Sequence, residues 1–496
     1  MKGVRYLLHY IALFFILAVS CAAYGYNLEK DVVEFKLDNG MRWLLVLRHQ
    51  APVFSGVIMI RAGGADEVPG KTGLAHMFEH MAFKGSSKLG TKDYSKEKPI
   101  LGEIEKAGDE LTIESLKPKP DEKKVGELKA KLGELQKEAA KYQIKNEIWE
   151  IMGRNGAADL NAYTSKDVTA YHASMPVNRL EMWMDVISQM VSDSVYREFY
   201  TERSVILEER RGGIENDPDG KMAELLGLTA FQNGPYHWPV IGLANDVAGL
   251  TIADARAFHD RLYTAQNMVG VLVGDIKTDE AKRLIKRYFG GIPFSKEISK
   301  DKEYENRGGG EKWFAFDAEP SAALAYHKVT LPHPDEFVFD VIDVLLCSGP
   351  TSRLEKRLVY DEKVARDISC SDSYPGSRLN NLLLVWIEPN RPHGPDEMIS
   401  KAQEEMERIK HEPISDEELS RVRTRVQAAM IYALEKNMGL ALSLAEFETV
   451  FGDWRLIVKY PNLVDKVTKE DIMRVANEYL SKDQAVKIVR TRGPRK

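Results

Sequence analysis

The amino-acid sequence predicts an α+β protein made of two related α/β sandwich-like units, each a mixed, largely antiparallel sheet packed by helices. At 496 residues the chain is several times longer than a typical domain, so more than one compact unit is expected. Two strand-like runs, "MRWLLVLRH" and "FSGVIMIRAGG", precede the first helical pattern, which begins near Thr72. A segment of the first half also recurs in the second half, which is the mark of a duplicated unit.

Composition and charge limit the functional class. Hydrophobic residues make up 44% of the chain and charged residues 29%, as in ordinary soluble globular proteins. The net charge is −6, from 75 acidic and 69 basic residues, and no long basic run interrupts it. A nucleic-acid partner therefore has no electrostatic support.

The first residues differ in kind from the rest. Two basic residues precede the apolar run "YIALFFILAVS", which is too short to span a bilayer comfortably, and small residues follow from Ser20 to Gly25. This pattern predicts a signal peptide over residues 1–25, cleaved between Ser20 and Gly25, and a periplasmic mature chain without a membrane span. Cys21 leaves open a lipid-modified N-terminus, although Ala18 stands where such a signal usually has leucine.

The internal repeat divides the mature chain. "DVAGLTIADARAFHDRLYTAQNMVGVLVG", from Asp246, aligns without gaps onto "LVDKVTKEDIMRVANEYLSKDQAVKIVRT", from Leu463, and each copy offers a threonine N-cap, a helix and a strand. We therefore expect a first unit over residues 26–297, a charged, glycine-rich linker over 298–311 and a second unit over 312–496.

A lysine- and glutamate-rich stretch over residues 98–148 interrupts the first unit. Two helical patterns flank the breaker "LKPKP", and leucines recur at helical spacing in the second pattern, at Leu128, Leu132 and Leu135. This predicts an inserted helical hairpin. A solvated spacer is favoured over a partner-binding arm, because charged runs on helices are usually exposed faces.

Cysteine is too scarce for a disulfide framework. Besides Cys21 the chain has Cys347 and Cys370. They could form one bridge in an oxidising compartment, or remain two buried, unpaired thiols.

The most specific pattern is "HMFEH" at residues 76–80. On a helix, His76 and His80 lie about 40° apart, and Glu79 lies about 60° from His76 on the other flank. Two imidazoles so placed can share one metal ion, and the carboxylate points toward the same position without being a ligand. This is the H-E-x-x-H arrangement in reversed order, and zinc suits such ligands and activates water for hydrolysis. The alternative is an ordinary helix with two surface histidines.

A catalytic zinc site of this type needs a third protein ligand, usually a carboxylate. The segment "FYTERSVILEERRGG" offers Glu202 and Glu209, nearly two helical turns apart and so on one face, with Glu208 about 100° away from Glu209. An acid-rich surface helix would show the same spacing, which therefore does not choose among these glutamates.

Taken together, HxxEH, "NAYTSKDVTAYHASMP", "ERSVILEE" and "GPYHWPVIG" occur in the order found in the inverted-zincin metallopeptidases that include insulysin, pitrilysin and the mitochondrial processing peptidase. The chain resembles this family over nearly all of its mature length. The resemblance implies a zinc-dependent endopeptidase with one zinc ion per chain, in which the two units form one half of a clamshell around a closed chamber.

The resemblance also implies roles for single residues. His76, His80 and Glu209 would bind zinc, Glu79 would be the general base, and Glu202 would orient a ligating histidine.

In this family the strand that matches "NAYTS" is a sheet edge that receives the substrate. Asn161 and Ala162 are therefore the expected backbone contacts of a peptide or unfolded segment bound as an added β-strand.

One departure from the family concerns the second unit. Active members often carry an Arg and a Tyr after an "SRL" segment, and this chain has Val359 and Arg366 at those positions. Because family members close their chamber from four units, the resemblance implies a partner. This could be a zinc-free paralogue that supplies the Arg and Tyr or a second copy of the chain, and the paralogue is favoured because a homodimer would still lack the pair.

A function from another class stays open. The chain could be a non-catalytic assembly subunit that keeps the fold and holds zinc structurally. The HxxEH motif with Glu79 favours the enzyme, because a structural zinc site has no use for a base beside an open coordination position.

Overall fold

The computed structural model describes residues 28–295 and 308–493. The predicted signal peptide, residues 1–25, lies outside the described residues. So does most of the predicted linker 298–311, and Gly310 already begins a strand.

The first unit is built on a six-stranded sheet whose strands follow the spatial order β1-β2-β6-β3-β5-β4. Strands β2 and β6 run parallel, and the other neighbouring pairs run antiparallel. The central strands are buried along most of their length, because helices cover both faces of the sheet. The strands are β1 (Val32–Lys36), β2 (Arg42–Leu47), β3 (Val53–Ile60), β4 (Ala158–Thr164), β5 (Thr169–Pro176) and β6 (Met268–Gly274).

Along the chain, most helices of the first unit come between β3 and β4 or between β5 and β6. A π-helical segment, Arg211–Glu215, continues α7 and leads to α8. The helices are α1 (Leu28–Asp31), α2 (Leu74–Ala82), α3 (Tyr94–Ser115), α4 (Glu122–Ala139), α5 (Glu147–Arg154), α6 (Leu180–Ser192), α7 (Phe199–Arg210), α8 (Pro218–Ala230), α9 (Ala244–Ala248), α10 (Ile252–Leu262) and α11 (Thr278–Phe289).

The second unit repeats this topology. Its sheet has the order β7-β11-β8-β10-β9, with β7 and β11 parallel and the other pairs antiparallel, which is the order β2-β6-β3-β5-β4 of the first sheet. The predicted fold class, two related units with mixed sheets packed by helices, is therefore confirmed. The elements are β7 (Gly310–Phe316), β8 (Ser321–Lys328), α12 (Glu336–Cys347), β9 (Ala365–Tyr374), β10 (Asn381–Pro389), α13 (Pro395–His411), α14 (Asp416–Glu435), α15 (Asn437–Glu446), α16 (Leu456–Asp465), α17 (Lys469–Tyr479) and β11 (Val486–Arg492).

The repeated segments form the same local structure in both units. Thr251 caps α10 and Thr468 caps α17, and in each case an aspartate three residues later completes a capping box. Helix α10 leads to β6 and helix α17 leads to β11, and these two strands hold equivalent places in the two sheets. Among the described helices, none combines the length and the apolar character needed to cross a bilayer.

Each unit covers one sheet face of the other unit with a helix. Helix α15 of the second unit packs on β3 and β6, where Leu440 and Leu444 join a core with Val57 and Val271. Helix α8 of the first unit packs on β7, β8 and β11. Without these helices, both apolar sheet faces would be exposed to solvent. Their reciprocal burial therefore joins the two units.

The predicted 98–148 insertion corresponds to α3, which already begins at Tyr94, and α4; they are joined by residues 116–121 and pack against each other. The expectation of a solvated spacer is wrong for one face of this hairpin. Ile104, Leu111, Leu128 and Leu132 lie in the main core of the first unit. The helical spacing of these apolar residues produces a buried stripe, while the charged residues occupy the other face.

Cys347, at the end of α12, and Cys370, on β9, form a disulfide bond with a Cα–Cα distance of 5.6 Å. The alternative of two unpaired thiols is thereby overturned. The spacing of two cysteines along the chain could not decide this, because pairing depends on which strand lies beside the helix.

Candidate metal centre

Helix α2 presents the histidines and the glutamate of "HMFEH" on one side. Its apolar residues Leu74, Met77, Phe78 and Met81 are buried in the core of the first unit. The three polar residues lie on the remaining face, where His76 and His80 are only partly buried. The apolar residues of α2 face the core, and the motif therefore lies on the opposite face of the helix.

Helix α7 brings a third ligating group to the two histidines. One potential ligand atom each from His76, His80 and Glu209 lies within 4.8 Å of the others. The His76 and His80 ring centroids are 4.7 Å apart, and Nε2 of His80 is 3.7 Å from Oε2 of Glu209. Glu208 lies outside this group and pairs with Arg211 on the exposed surface.

Glu202 fixes the orientation of His80. Its Oε2 is 3.2 Å from Nδ1 of His80, and its other oxygen is ion-paired with Lys84. If Nδ1 donates this hydrogen bond, the lone pair of Nε2 is left facing Glu209. Burial opposes charge on His80, but Glu202 and Glu209 outweigh it and raise its pKa. The carboxylates around His80 therefore favour positive charge there, either on the protonated ring or on a metal ion bound in place of its second proton.

His76 is held as a neutral imidazole. Burial, together with the neighbouring His80, lowers the pKa of His76 to about 4. Its Nδ1 is buried and has no hydrogen-bond partner among the described residues. A neutral imidazole is the form that coordinates a metal ion.

Glu79 is placed beside these ligands by a contact from the sheet. The hydroxyl of Thr164, the last residue of β4, donates a 2.6 Å hydrogen bond to Oε2 of Glu79. Burial raises the pKa of Glu79, while this hydrogen bond and His80 act in the opposite direction. A raised pKa suits a carboxylate that exchanges a proton near neutral pH.

Strand β4, which contains Asn161 and Ala162, lies at the edge of the first sheet. It pairs with β5 on one side, and no described strand pairs with its other side. Asn161 is exposed and Ala162 is buried, as expected for successive residues of an edge strand. Because helix α2 also packs against β4, this free edge runs beside the histidine and glutamate cluster.

Val359 and Arg366, which stand where active members carry Arg and Tyr, lie in two different elements of the second unit. Val359 lies in the π-helical segment Glu355–Asp361, partly buried against the core of the second unit. Arg366 is on β9 and is ion-paired with Glu388.

Two contributors to the site were not predicted from the sequence. Thr164 binds Glu79, and Lys84 binds Glu202. Thr164 belongs to the quoted "NAYTS" segment, so the motif held a signal for it. Lys84 follows His80 by four residues, just beyond the end of α2, and a lysine near a helix C-terminus is too common to indicate a role.

Family models match most of the chain. The model described as "Insulinase (Peptidase family M16)" matches residues 44–114 and 135–243, and the model described as "Peptidase M16 inactive domain" matches residues 249–426. The first match contains the HMFEH motif and Glu209.

A curated relative, the zinc protease PqqE of Helicobacter pylori, is 24% identical over 490 residues, which cover 95% of each chain. The crystal structure of a protease from Helicobacter pylori superposes with a TM-score of 0.76 at 23% identity, covering 93% of this chain and 99% of that one. The periplasmic protease PqqL from Escherichia coli superposes with a TM-score of 0.67 at 19% identity, covering 93% of this chain but 48% of that one. The structural likenesses show a shared fold.

Proposed function

Because this chain belongs to the insulinase family, peptidase family M16, we propose that it is a zinc-dependent endopeptidase. The observation that carries the proposal is the convergence of His76, His80 and Glu209 within 4.8 Å, with Glu79 beside them. Two imidazoles and one carboxylate form a ligand set typical of catalytic zinc.

The residues fit the metal in type, and His76 fits it in protonation state as well. The lowered pKa of His76 favours its neutral ring, and the carboxylates that raise the pKa of His80 place negative charge beside that ring, where a bound metal ion would replace its second proton. Zinc held there would act as a Lewis acid toward a peptide carbonyl and the attacking water. Glu202, through His80, would keep one ligand in the required orientation.

Glu79 performs the proton transfers in the proposed reaction. Its carboxylate takes a proton from the attacking water and later delivers it to the nitrogen of the departing amine. Burial favours its protonated form and raises its pKa, and the Thr164 hydroxyl favours its ionised form and limits that rise.

The substrate would be a peptide or an unfolded segment of a protein, bound as an additional strand on the free edge of β4. Main-chain hydrogen bonds near Asn161 and Ala162 would provide most of the attraction, so many sequences would be accepted. The scissile bond would then lie between this edge and Glu79.

We further propose that a second family subunit completes the active site. The PqqL chain is about twice as long as this one, and this chain matches half of it. Val359 and Arg366 leave this chain without the expected Arg and Tyr, which a zinc-free paralogue could contribute. Co-purification with such a paralogue, followed by size measurement, would test this; a purified homodimer with full activity would contradict it.

We place the protein in the periplasm, exported by the signal peptide at residues 1–25, with lipid attachment at Cys21 as the alternative. The mass of the N-terminal peptide of protein purified from the cell envelope would distinguish the two. Export also agrees with the disulfide bond between Cys347 and Cys370, since such bonds persist in oxidising compartments.

One experiment tests the central proposal. Zinc content and cleavage of an unstructured, internally quenched peptide are measured for the wild-type chain, with its partner subunit if required, and for Glu79→Gln. We expect about one zinc ion per chain in both proteins, chelator-sensitive cleavage by the wild type and at least about 100-fold slower turnover by Glu79→Gln.

Equal cleavage rates for the two proteins would refute the role of Glu79. A chain that binds zinc but never cleaves peptides, alone or with a paralogue, would instead indicate the non-catalytic assembly subunit.

A further inference from the structure

Helix α2 begins without a cap from its own N-cap residue. Gly73 has φ of +92° and no side chain, and a Cβ atom there would lie 2.8 Å from the carbonyl oxygen of Ile241. A capping serine or aspartate therefore does not fit at this position, although the first N–H groups of a helix need acceptors.

Glu67 serves as the cap from six residues upstream. Its Oε2 accepts a 2.9 Å hydrogen bond from the N–H of Gly73, and its Oε1 accepts a 2.8 Å hydrogen bond from the N–H of Ala75. Glu67 is only 6% exposed, so water does not compete strongly for these donors. Burial raises the pKa of Glu67 to about 8, whereas the hydrogen bonds from Ala75 and Gly73 favour the ionised form, as does the helix dipole.

The position of this cap matters for the metal centre because α2 has only nine residues. Ala75 immediately precedes His76, and Glu79 lies one turn further on. A shift or rotation of the first turn would therefore move His76 and Glu79 relative to Glu209, which lies on a different helix.

The residue before Glu67 is held by the second unit. Both oxygens of Asp66 accept hydrogen bonds of 3.0 Å from the guanidinium of Arg378, and both side chains are almost completely buried. Asp66 also accepts a 3.0 Å hydrogen bond from the N–H of Gly63, which closes the turn that leads to Glu67. A bidentate arginine restrains both the distance and the orientation of this turn.

The same part of the second unit also holds the turn after β4. Asp167 Oδ2 accepts hydrogen bonds from the N–H groups of Ser377 (2.6 Å) and Arg378 (3.1 Å). The 63–66 turn is joined to this turn through the N–H groups of Gly64 and Ala65, which donate to residues 165 and 166. The cap of α2 and the end of β4, which carries Thr164, therefore share one anchor.

We propose that Glu67 is a positioning residue for helix α2 and that Arg378 of the second unit holds it in place through Asp66. The docked second unit thereby sets the geometry of His76 and Glu79. The expected effect of losing this cap on turnover rests on the proposed function. Its expected effect on the structure of α2 does not.

The test compares four variants of the full chain. Glu67→Gln keeps one acceptor oxygen and loses the other, and Arg378→Ala removes the bidentate contact. Glu336→Gln is the matched control for a glutamate with the same 6% exposure in the second unit. Arg490→Ala is the matched control for a buried arginine that joins the units elsewhere, through Asp219.

Three measurements are made on each variant. Hydrogen exchange of the 72–82 segment is followed in metal-free protein, the visible absorption spectrum is recorded after loading with Co²⁺, and kcat and KM are determined with the quenched peptide. We expect Glu67→Gln and Arg378→Ala to exchange faster in this segment, to shift the cobalt bands, and to lower kcat about 10-fold or more at little-changed KM. The two controls should leave all three unchanged.

Wild-type exchange and an unchanged cobalt spectrum in Glu67→Gln would overturn the positioning role. Equal effects of Arg490→Ala and Arg378→Ala would overturn the specific role of Arg378, because general loosening of the units would then explain both. If Arg378→Ala does not fold, Arg378→Lys, which keeps the charge but not the bidentate geometry, takes its place with the same expectations. Absence of peptidase activity or cobalt binding in the wild type would count against the proposed function, and the exchange measurement would still decide the capping role.

Discussion

The hydroxyl of Thr164 donates a 2.6 Å hydrogen bond to Oε2 of Glu79, joining residues 85 positions apart in the chain. Thr164 ends the edge strand β4, and Glu79 lies on helix α2. The proposed general base is therefore held directly by the strand on which we expect the substrate to bind.

Replacing Thr164 by valine should slow catalysis without loss of zinc. The change keeps the shape of the side chain but removes the donor that orients Glu79, and we expect kcat to fall about 10-fold with the zinc content unchanged. Thr164→Ser retains the hydroxyl and serves as the control, with near wild-type turnover. Steady-state kinetics and metal analysis on the same samples provide the test, and a fully active Thr164→Val would contradict it.

Replacing Glu209 by glutamine should weaken zinc binding, whereas the same change at Glu208 should not. Glu209 lies with His76 and His80, while Glu208 is exposed and paired with Arg211. Loss of a ligand should lower zinc affinity by at least about 100-fold. Competition with a chromophoric chelator measures this, and indistinguishable affinities for the two variants would assign the third ligand elsewhere.

Removing the disulfide bond should destabilise the second unit. Cys347 and Cys370 are separated by 23 residues, and closing a loop of this size stabilises a fold by about 3 kcal/mol. Urea denaturation of the Cys347→Ser/Cys370→Ser double variant should show a lower midpoint than the wild type. Treatment of the wild type with dithiothreitol should reproduce this shift and leave the double variant unaffected; a reductant effect of equal size on both would disprove the explanation.

Asp343 on α12 should make stability depend on pH. Burial raises its pKa to about 7, repulsion by Asp372 adds to this, and Lys328 opposes it. Because the folded state disfavours the charged form, the stability present below the unfolded pKa of 3.8 is lost as the pH rises toward 7. We therefore expect Asp343→Asn to be more stable than the wild type at pH 8, by on the order of 2 kcal/mol, and by roughly a third of that difference near pH 5.

Urea unfolding at the two pH values measures this difference. Asp317→Asn, an exposed aspartate of the same unit, is the control and should show no such trend. A stabilisation by Asp343→Asn of the same size at pH 5 and pH 8 would contradict the assignment to ionisation.

Much of the fold could be predicted from local signals. The repeat from Asp246 and Leu463 predicts two units of like topology, because Thr251 and Thr468 cap equivalent helices and each helix precedes an equivalent strand. The order of strands within a sheet, and the exchange of α8 and α15 between units, could not be predicted in this way. They depend on which apolar faces meet, and many pairings of such faces are compatible with the same periodicity.

The 98–148 hairpin shows the limit of reasoning from charge. Its lysines and glutamates indicate an exposed surface, and one surface is exposed, but its leucines lie in the core of the first unit. The composition of a segment averages over both faces of a helix, whereas only the apolar face packs into the core.

The sequence by itself determined the family, the fold class and the pattern that places His76, Glu79 and His80 on one side of a helix, because these follow from the order and spacing of residues along the chain. The roles of these residues stay predictions until zinc and turnover are measured. Only the tertiary structure decided that Glu209 lies with the two histidines while Glu208 does not, that Thr164 contacts Glu79, and that Arg378 of the second unit holds the turn that caps the helix. Such contacts join distant parts of the chain, and the distance between two side chains is set by how helices and sheets pack, which no local pattern records.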